Sequence, residues 1–247
     1  MKQRLDQLLV SRALCESREQ GKRLILAGDV LVNDVPVTKA GQSVRDDVVI
    51  RIKQPPKFVS RGGFKLEGAL DNFGINVDGK ICFDVGSSTG GFTDCLLQRG
   101  AVKVYAFDVG TNQLVWKLRS DPRVVSREKC NVRHLKLEDV GEMVDIIVAD
   151  VSFISLTLVL PPAFQVLKPD GNAIVLIKPQ FELSKEEIGK GGIVREVELH
   201  EKACAKIQAF VKAQAGWQWR GLMESPIQGA DGNREFLAWI GKTNNEG

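Results

Sequence analysis

The first quarter of the chain alternates short apolar stretches with polar turns. Leucines at helical spacing predict an amphipathic helix over residues 4–14. Ser17 has the position and the hydroxyl of an N-cap for a second helix, and Gly28 is a natural C-terminal stop for it. Residues 30–32 and 48–52 are rich in β-branched side chains and predict short strands. The pattern therefore predicts a small α+β domain over residues 1–54.

After this domain the pattern changes. Pro55 and Pro56 cannot continue a helix or a central strand, so residues 55–63 are a predicted linker and 64–247 a second domain. There, apolar runs alternate with helical patterns, which is typical of βαβ units in an α/β parallel sheet. The predicted strands are 81–85, 102–107, 144–149 and 173–177, followed by a helix near 197–215 and strands near 217–223 and 235–240.

Charge and composition narrow the choice of partners and sites. The formal net charge is +3, but residues 1–57 contribute +4, so the positive excess lies in the small domain. The 5 cysteines are scattered without a C-x-x-C pair, and the 2 histidines are isolated, so we expect neither a disulfide framework nor a metal site. The N-terminus has no apolar signal core, and prolines interrupt the apolar stretch at 151–167. We expect a cytoplasmic protein.

A glycine-rich segment follows the first predicted strand of the second domain. It reads Asp84-Val85-Gly86-Ser87-Ser88-Thr89-Gly90-Gly91-Phe92, and Asp108 ends the next strand. Glycine lets a ligand approach the backbone closely. A carboxylate at the end of the next strand can accept hydrogen bonds from both ribose hydroxyls. The spacing G-x-x-x-G-G is not a dinucleotide fingerprint, and Asp84 suits an amino-acid group better than a phosphate. The segment predicts a site for S-adenosylmethionine (SAM); the alternative is a tight turn in an ordinary α/β domain.

Four charged residues form a candidate catalytic set. Asp150 and Lys178 each follow a predicted strand, at the edge where open α/β sheets bind ligands. Lys65 lies on a helix before the sheet, and Glu235 opens the last strand. Taken singly, such a lysine is usually a surface charge and such an aspartate a helix cap. As a set they can deprotonate a hydroxyl, and we assign Lys178 as the base, positioned by Asp150.

These residues carry a family resemblance. Lys65, Asp150, Lys178 and Glu235 resemble the Lys-Asp-Lys-Glu tetrad of FtsJ-type ribose 2′-O-methyltransferases. Four stretches, 59–63, 84–92, 150–156 and 178–182, resemble the TlyA family, and the likeness covers essentially the whole chain. The resemblance implies a Rossmann-like class I methyltransferase sheet, SAM as cofactor, and methylation of cytidine 2′-hydroxyls in ribosomal RNA, with assembled subunits as the expected partner.

Three further positions belong to the predicted cofactor region. Many such enzymes place an acidic residue after the third strand to bind the adenine amino group, whereas this chain has Asn131 there. Its side-chain oxygen could accept the same bond. We also assign Asp150 to the cofactor site. Phe153 lies either near the cofactor or target base, or in the core as an ordinary aromatic.

The small domain resembles the RNA-binding domain shared by a ribosomal small-subunit protein and many pseudouridine synthases. The resemblance is carried by Arg4-Leu5-Asp6, Ser17-Arg18 and the stretch 28–33. A basic helix face suits phosphate contacts on structured RNA, and the alternative is a solvated surface. The predicted RNA-binding residues are Arg4, Arg12, Arg18, Lys22, Arg23 and Arg61.

Two other functions remain open from the sequence. A non-catalytic ribosome-assembly factor would bind RNA without methyl transfer, and the intact tetrad argues against it. A membrane-lysing protein, suggested by the haemolysin label of some TlyA members, would need an amphipathic or spanning apolar segment, and we find none in the sequence.

Overall fold

The chain divides into two compact units, Met1–Lys57 and Phe58–Gly247. The structure is a computed structural model, and it describes residues 2–15, 17–53, 56–189, 191–229 and 231–243. Each unit has its own buried apolar cluster, so each is described separately below.

The unit boundary lies earlier than the predicted end of the linker. Residues 58–63 belong to the second unit, whereas we placed them in the linker 55–63. The Phe58 ring is buried directly against Gly63, where a Cβ atom would meet the ring. The Val59 N–H donates to Asp94 Oδ2 at 2.9 Å. An apolar ring and a partly buried hydrogen bond therefore hold this segment to the second unit. Pro55 lies outside the described residues.

The small unit contains two helices and five short strands. The predicted cap is confirmed, because Ser17 Oγ accepts the Gln20 N–H at 3.2 Å. The first helix ends at Ser11, three residues before the predicted end, and Ala13 has a φ of +53° that no helix can continue. The elements are β1 (Lys2–Arg4), α1 (Leu5–Ser11), α2 (Arg18–Leu26), β2 (Val30–Val32), β3 (Val35–Pro36), β4 (Ser43–Arg45) and β5 (Ile50–Ile52).

Hydrogen-bonded pairs of strands close this unit around a small core. β2 pairs with both β3 and β5, and β1 pairs with β4. Asn33 and Asp34 both have positive φ, +49° and +64°, as the two-residue turn between β2 and β3 requires. The buried core side chains are Leu5, Leu8, Leu9, Ile25, Val30, Val37 and Val44.

The second unit is built on a seven-stranded sheet with the order β11-β12-β10-β9-β6-β7-β8. β6 to β10 are parallel, and β12 is antiparallel to both of its neighbours. The chain order reverses between β6 and β9, which leaves a crevice at their carboxyl ends. The strands are β6 (Ile81–Val85), β7 (Lys103–Phe107), β8 (Val124–Arg127), β9 (Val144–Ala149), β10 (Leu167–Ile177), β11 (Trp217–Glu224) and β12 (Phe236–Lys242). The predicted α/β class is confirmed.

Helices cover the two faces of this sheet. Successive strand residues alternate between two buried clusters, as Phe83 and Ile147 in one and Cys82 and Ile146 in the other illustrate. The helices are α3 (Gly62–Phe73), α4 (Gly91–Gln98), α5 (Trp116–Arg119), α6 (Leu137–Val140), α7 (Leu156–Phe164), α8 (Pro179–Glu182) and α9 (Val197–Lys212).

Several elements of this unit were not predicted from the sequence, and β8 and α7 are two examples. β8 is a short edge strand whose residues alternate between half-buried and exposed. α7 contains Pro161 and Pro162, which remove two helical N–H donors. Ser155 caps its N-terminus, and five of its nine residues are buried, so tertiary packing stabilises a helix that its prolines disfavour.

Within the described residues, none of the helices has the length and apolar character needed to cross a membrane. The same part of the chain contains no cluster of three or more His, Cys, Asp or Glu residues arranged to bind a metal ion.

Candidate active site

The loop between β6 and α4 approaches two other segments closely. Gly86 has a φ of +81°, and a Cβ atom there would lie 2.8 Å from the Asp150 carbonyl oxygen. A Cβ atom on Gly91 would lie 2.9 Å from the Gly63 nitrogen. Both distances are too short for a side chain, so glycine is required at these two positions. The loop thereby brings the end of β9 and the start of α3 to the same edge of the sheet.

Asp84 lies in β6, directly before this loop, and is fully buried. Its Oδ2 accepts the Thr93 hydroxyl at 2.6 Å, whereas Oδ1 has no partner among the described residues. Burial is the main cause that raises the pKa of Asp84 to about 7; the Thr93 hydroxyl opposes the rise and the charge of Asp150 adds to it. Asp84 therefore holds an unsatisfied acceptor just behind the loop.

Asp108 follows β7, as predicted, and fixes the loop from the other side. Its Oδ2 accepts the Ser88 N–H at 2.8 Å, and its Oδ1 accepts the Gly110 N–H at 2.7 Å. Each carboxylate oxygen has a further lone pair, so Asp108 can also receive ribose hydroxyls. Asn131 lines the same cavity, but its Oδ1 already accepts the Arg133 N–H at 3.1 Å as a cap.

The four tetrad residues form two lysine–carboxylate pairs. Lys65 Nζ donates to Glu235 Oε2 at 2.5 Å, and both side chains are at least 90% buried. Lys178 Nζ lies 2.6 Å from Asp150 Oδ1, but this contact lacks the angle of a hydrogen bond. The Lys178 ammonium donates instead to Ser152 Oγ at 2.9 Å. The two amines thus differ, because only Lys65 has its carboxylate as a hydrogen-bond acceptor.

Three adjoining cavities meet at this tetrad. The first, of about 350 Å³, lies along the glycine loop, and the second, of about 450 Å³, extends over Asp108 and Asn131. The third, of about 410 Å³, contains Lys65, Lys178 and Glu235. Asp150 lines both of the first two, Lys65 joins the first to the third, and Ser152 and Phe153 join the second to the third. The cleft thus has room for two molecules that meet beside the amines.

Phe153 lies at the mouth of this cleft and is 91% exposed, so it is not a core aromatic. Its ring centroid lies 5.0 Å from that of Phe181, which lines the third cavity. Its φ is +63°, a conformation that costs a bulky residue of the order of 1–3 kcal/mol and tends to persist at functional sites. The backbone therefore holds an aromatic face open toward the cleft.

The structure places the predicted cofactor and catalytic residues at one edge of the sheet. Gly86, Ser87, Ser88, Gly91 and Phe92 line the first cavity, whereas Asp84 and Gly90 do not line any of the three within the described residues. The sequence analysis assigned no role to several residues that line or support the cleft, because their roles depend on contacts between distant segments. They are Thr93, Ser152, Gln180, Phe181 and Glu182.

The basic residues of the small unit are largely occupied by internal contacts. Arg4 and Arg18 both bind the buried Asp6, at 3.0 and 3.1 Å, and the Arg4 hydrogen bond is the main cause that lowers the pKa of Asp6 to about 2. Arg12 donates to the backbone oxygens of residues 46 and 48. These three guanidinium groups therefore also hold the unit together, and their contact with RNA stays a prediction. Each stays exposed.

The remaining two predicted RNA contacts of the small unit lie on α2. Lys22 forms a surface ion pair with Glu19 at 2.7 Å, and Arg23 is exposed. In the second unit, Arg61 donates to the Gln228 carbonyl at 2.7 Å and lines the first cavity.

Comparison with known families agrees with these features. The model of FtsJ-like methyltransferases matches residues 58–242, and that of the S4 domain matches residues 3–50. The chain belongs to the FtsJ-like methyltransferase family. As a member of it, this methyltransferase uses SAM as its methyl donor.

The similarity to known proteins covers nearly the whole length of this methyltransferase. Hemolysin A of Brachyspira hyodysenteriae is 48% identical over 236 residues, which cover 95% of this chain and 98% of that protein. The 16S/23S rRNA (cytidine-2′-O)-methyltransferase TlyA of Mycobacterium tuberculosis is 43% identical over 239 residues, covering 96% and 89%. A solved structure from Streptococcus thermophilus, which carries a hemolysin name, has a TM-score of 0.74 and 47% identity over 98% of this chain and 89% of that one. The resemblance to the TlyA family is confirmed.

The cleft of this methyltransferase also fits SAM on structural grounds. The glycine loop leaves its backbone accessible along the first cavity, and Asp108 lies in the second, where a ribose would bind. Asp150 lines both of these cavities, and its Oδ1 is already paired with the Lys178 ammonium at 2.6 Å. The open backbone of the loop, where a Cβ atom at residue 86 or 91 would clash, is the feature that leaves space for the cofactor.

Proposed function

We propose that this methyltransferase transfers the methyl group of SAM to the 2′-hydroxyl of a cytidine in ribosomal RNA. The observation that carries the proposal is the junction of the three cavities, where the Lys178–Asp150 and Lys65–Glu235 pairs lie between the cofactor loop and the third cavity. The M. tuberculosis relative is named for cytidine-2′-O-methylation of both ribosomal RNAs, and this supports the choice of nucleotide and substrate.

The chain's own residues bind the cofactor and handle the proton. The glycine loop and Asp108 would hold SAM, which supplies a methyl group on a positively charged sulfonium. In its neutral form, Lys178 Nζ takes up the proton of the 2′-hydroxyl. Asp150 Oδ1, 2.6 Å away, stabilises the ammonium that results. Lys65, held by Glu235, also lines the third cavity and donates to the oxygen of the ribose there.

The aromatic pair at the mouth supports a nucleotide as substrate. Phe153 and Phe181 present ring faces at the third cavity, and bases of single-stranded RNA stack on such faces. A ribose hydroxyl becomes accessible to an enzyme when its nucleotide leaves the helix. We therefore place the target base against Phe153 and its ribose beside Lys178.

The small unit supports RNA as the partner. It matches the S4 domain, and Lys22 and Arg23 present positive charge on α2. Recognition by shape and phosphate contacts is suited to folded RNA in assembled ribosomal subunits. Cytidine specificity and the preference for assembled subunits are both parts of this proposal.

The test is methyl transfer with tritiated SAM on free ribosomal RNA, isolated subunits and whole ribosomes, followed by mass-spectrometric mapping of 2′-O-methyl sites. We expect incorporation at cytidines and the highest rate on an assembled particle. Lys178→Ala should abolish turnover while calorimetry shows nearly unchanged SAM binding.

Lys212→Ala is the matched control. Lys212 is an exposed lysine that ends α9 just before β11, and β11 starts at the sheet edge opposite the cleft. No incorporation on any substrate by the unaltered protein would instead favour a non-catalytic RNA-binding factor. Loss of SAM binding in Lys178→Ala would contradict the role of this lysine as the base.

A further inference from the structure

Glu182 is a buried carboxylate that lies outside the tetrad and forms four contacts. It ends α8, four residues after Lys178, and its side chain is 1% exposed. Its Oε1 accepts the Leu156 N–H at 2.8 Å, and its Oε2 accepts the Ser155 hydroxyl at 2.6 Å. Lys206 Nζ, from α9, lies 3.2 Å from Oε2 and donates to the Glu182 carbonyl oxygen at 2.5 Å. Both carboxylate oxygens are thus occupied by protein donors.

These contacts join the two segments that carry the proposed chemistry. One segment follows β9 and carries Asp150, Ser152 and Phe153; the other follows β10 and carries Lys178. They meet once at the Lys178 ammonium, which contacts both Asp150 and Ser152. The two segments contact each other a second time at Glu182, which binds Ser155 and Leu156, residues that follow Phe153 in the chain. The segment between the two meeting points is therefore fixed at both ends.

Phe153 explains why a second fixed point matters. Its left-handed backbone is unfavourable for a bulky side chain and persists only where the flanking chain is held. On one side Ser152 is held by Lys178. On the other side the start of α7 is held by the Glu182 carboxylate, which also lies favourably at the positive end of this nine-residue helix.

Within the described residues, Glu182 lines none of the three cavities of the cleft. Its side chain is buried and both of its carboxylate oxygens accept protein donors, so we assign it no direct part in proton transfer. We infer that Glu182 is a positioning residue. It fixes Ser152 and Phe153 relative to Lys178, so that the Lys178 amine and the ribose of the target nucleotide are correctly placed for proton transfer. This inference rests on the proposed function, because it assigns Glu182 a part in the same methyl transfer.

The experiment compares Glu182→Gln with Glu187→Gln in the full chain, on the ribosomal substrate that the unaltered protein methylates. Glu187 is a matched control, because it lies shortly after α8 and, like Glu182, pairs with a lysine of α9, here Lys202, but it does not contact the Ser155 segment in the described structure. A misplacement of about 1 Å can reduce turnover by about 100-fold. We expect Glu182→Gln to lower kcat by about 10- to 100-fold with SAM affinity unchanged by calorimetry, and Glu187→Gln to retain normal kcat.

The outcomes separate the inference from the proposed function. If the unaltered protein methylates no ribosomal substrate, the proposed function fails before any variant is compared. If it is active and Glu182→Gln keeps normal kcat, the positioning role is refuted. If Glu182→Gln loses SAM binding or does not fold, Ser155→Ala decides: it removes one of the carboxylate's donors, while the Leu156 N–H and Lys206 still compensate the buried charge of Glu182. Reduced kcat at normal SAM affinity in that variant supports the inference, and normal kcat overturns it.

Discussion

The buried Asp84 predicts that the stability of the catalytic unit falls as the pH rises toward neutrality. Burial raises the pKa of Asp84 from its usual 3.8 to about 7, so the folded state holds a proton that the unfolded chain has already lost in this interval. A raised pKa in the folded state contributes stability that is fully present below the unfolded pKa and is lost as the pH passes the folded pKa. The affected window is therefore pH 3.8 to about 7.

The size of the effect follows from these two values. Each pH unit within the window costs about 1.4 kcal/mol of unfolding free energy from this group. Between pH 5 and pH 8 the contribution of Asp84 therefore falls by about 2.6 kcal/mol. Asp84→Asn preserves the shape of the side chain and removes the titration. The difference in unfolding free energy between the unaltered protein and this variant should change by that amount over the same interval.

Urea unfolding, monitored by tryptophan fluorescence, measures this difference in unfolding free energy for the catalytic unit specifically. All 4 tryptophans lie in the catalytic unit: Trp116, Trp217, Trp219 and Trp239. Thr93→Val is the matched control, because the Thr93 hydroxyl lowers the pKa of Asp84. Its loss should extend the window to higher pH and leave the titration present. Parallel pH profiles for the unaltered protein and Asp84→Asn from pH 5 to pH 8 would refute the reasoning.

Two further predictions concern the substrate. Phe153→Ala should reduce turnover on ribosomal RNA at unchanged SAM affinity, since stacking of one base contributes about 1–3 kcal/mol. The control is Leu158→Ala, which changes an exposed apolar residue of α7. Equal turnover in the two variants would count against stacking. Changing Lys22 and Arg23 together to Ala should weaken RNA binding in filter-binding assays and flatten the plot of log affinity against log salt by about 1.5 units of slope. An unchanged slope would mean that these two side chains do not contact phosphate.

The sheet and the tetrad could be predicted because they depend on local patterns. Strands 81–85 and 144–149 are apolar runs that each contain a single aspartate, and the structure has strands at the same residues. Asp150 and Lys178 follow two neighbouring parallel strands, so the topology alone brings them to one edge. Their pairing at 2.6 Å is a consequence of adjacent β9 and β10.

Contacts between distant segments account for what the sequence did not indicate. Arg4 and Arg18 look like surface charges in the sequence, and only the folded unit brings both to the carboxylate of Asp6. Asp6 is buried because α1 packs its face inward, and a buried carboxylate requires paired cations. Glu182 lies in the stretch 178–182 that carries the family resemblance, but its contacts depend on the approach of α7 and α9. Neither role has a local pattern from which to infer it.

The geometry of the two amines explains why Lys178, and not Lys65, is the better candidate for the base. Lys65 donates to Glu235 in a short hydrogen bond between two buried side chains, so removing its proton would leave a buried charge unpaired. Lys178 instead donates to the hydroxyl of Ser152, which can also act as a donor after the amine becomes neutral. The Asp150 carboxylate stays close enough to stabilise the returning charge. The two lysines thus differ in role. Lys65 is a fixed hydrogen-bond donor to Glu235, whereas Lys178, whose carboxylate is not aligned as an acceptor, can release and take up a proton.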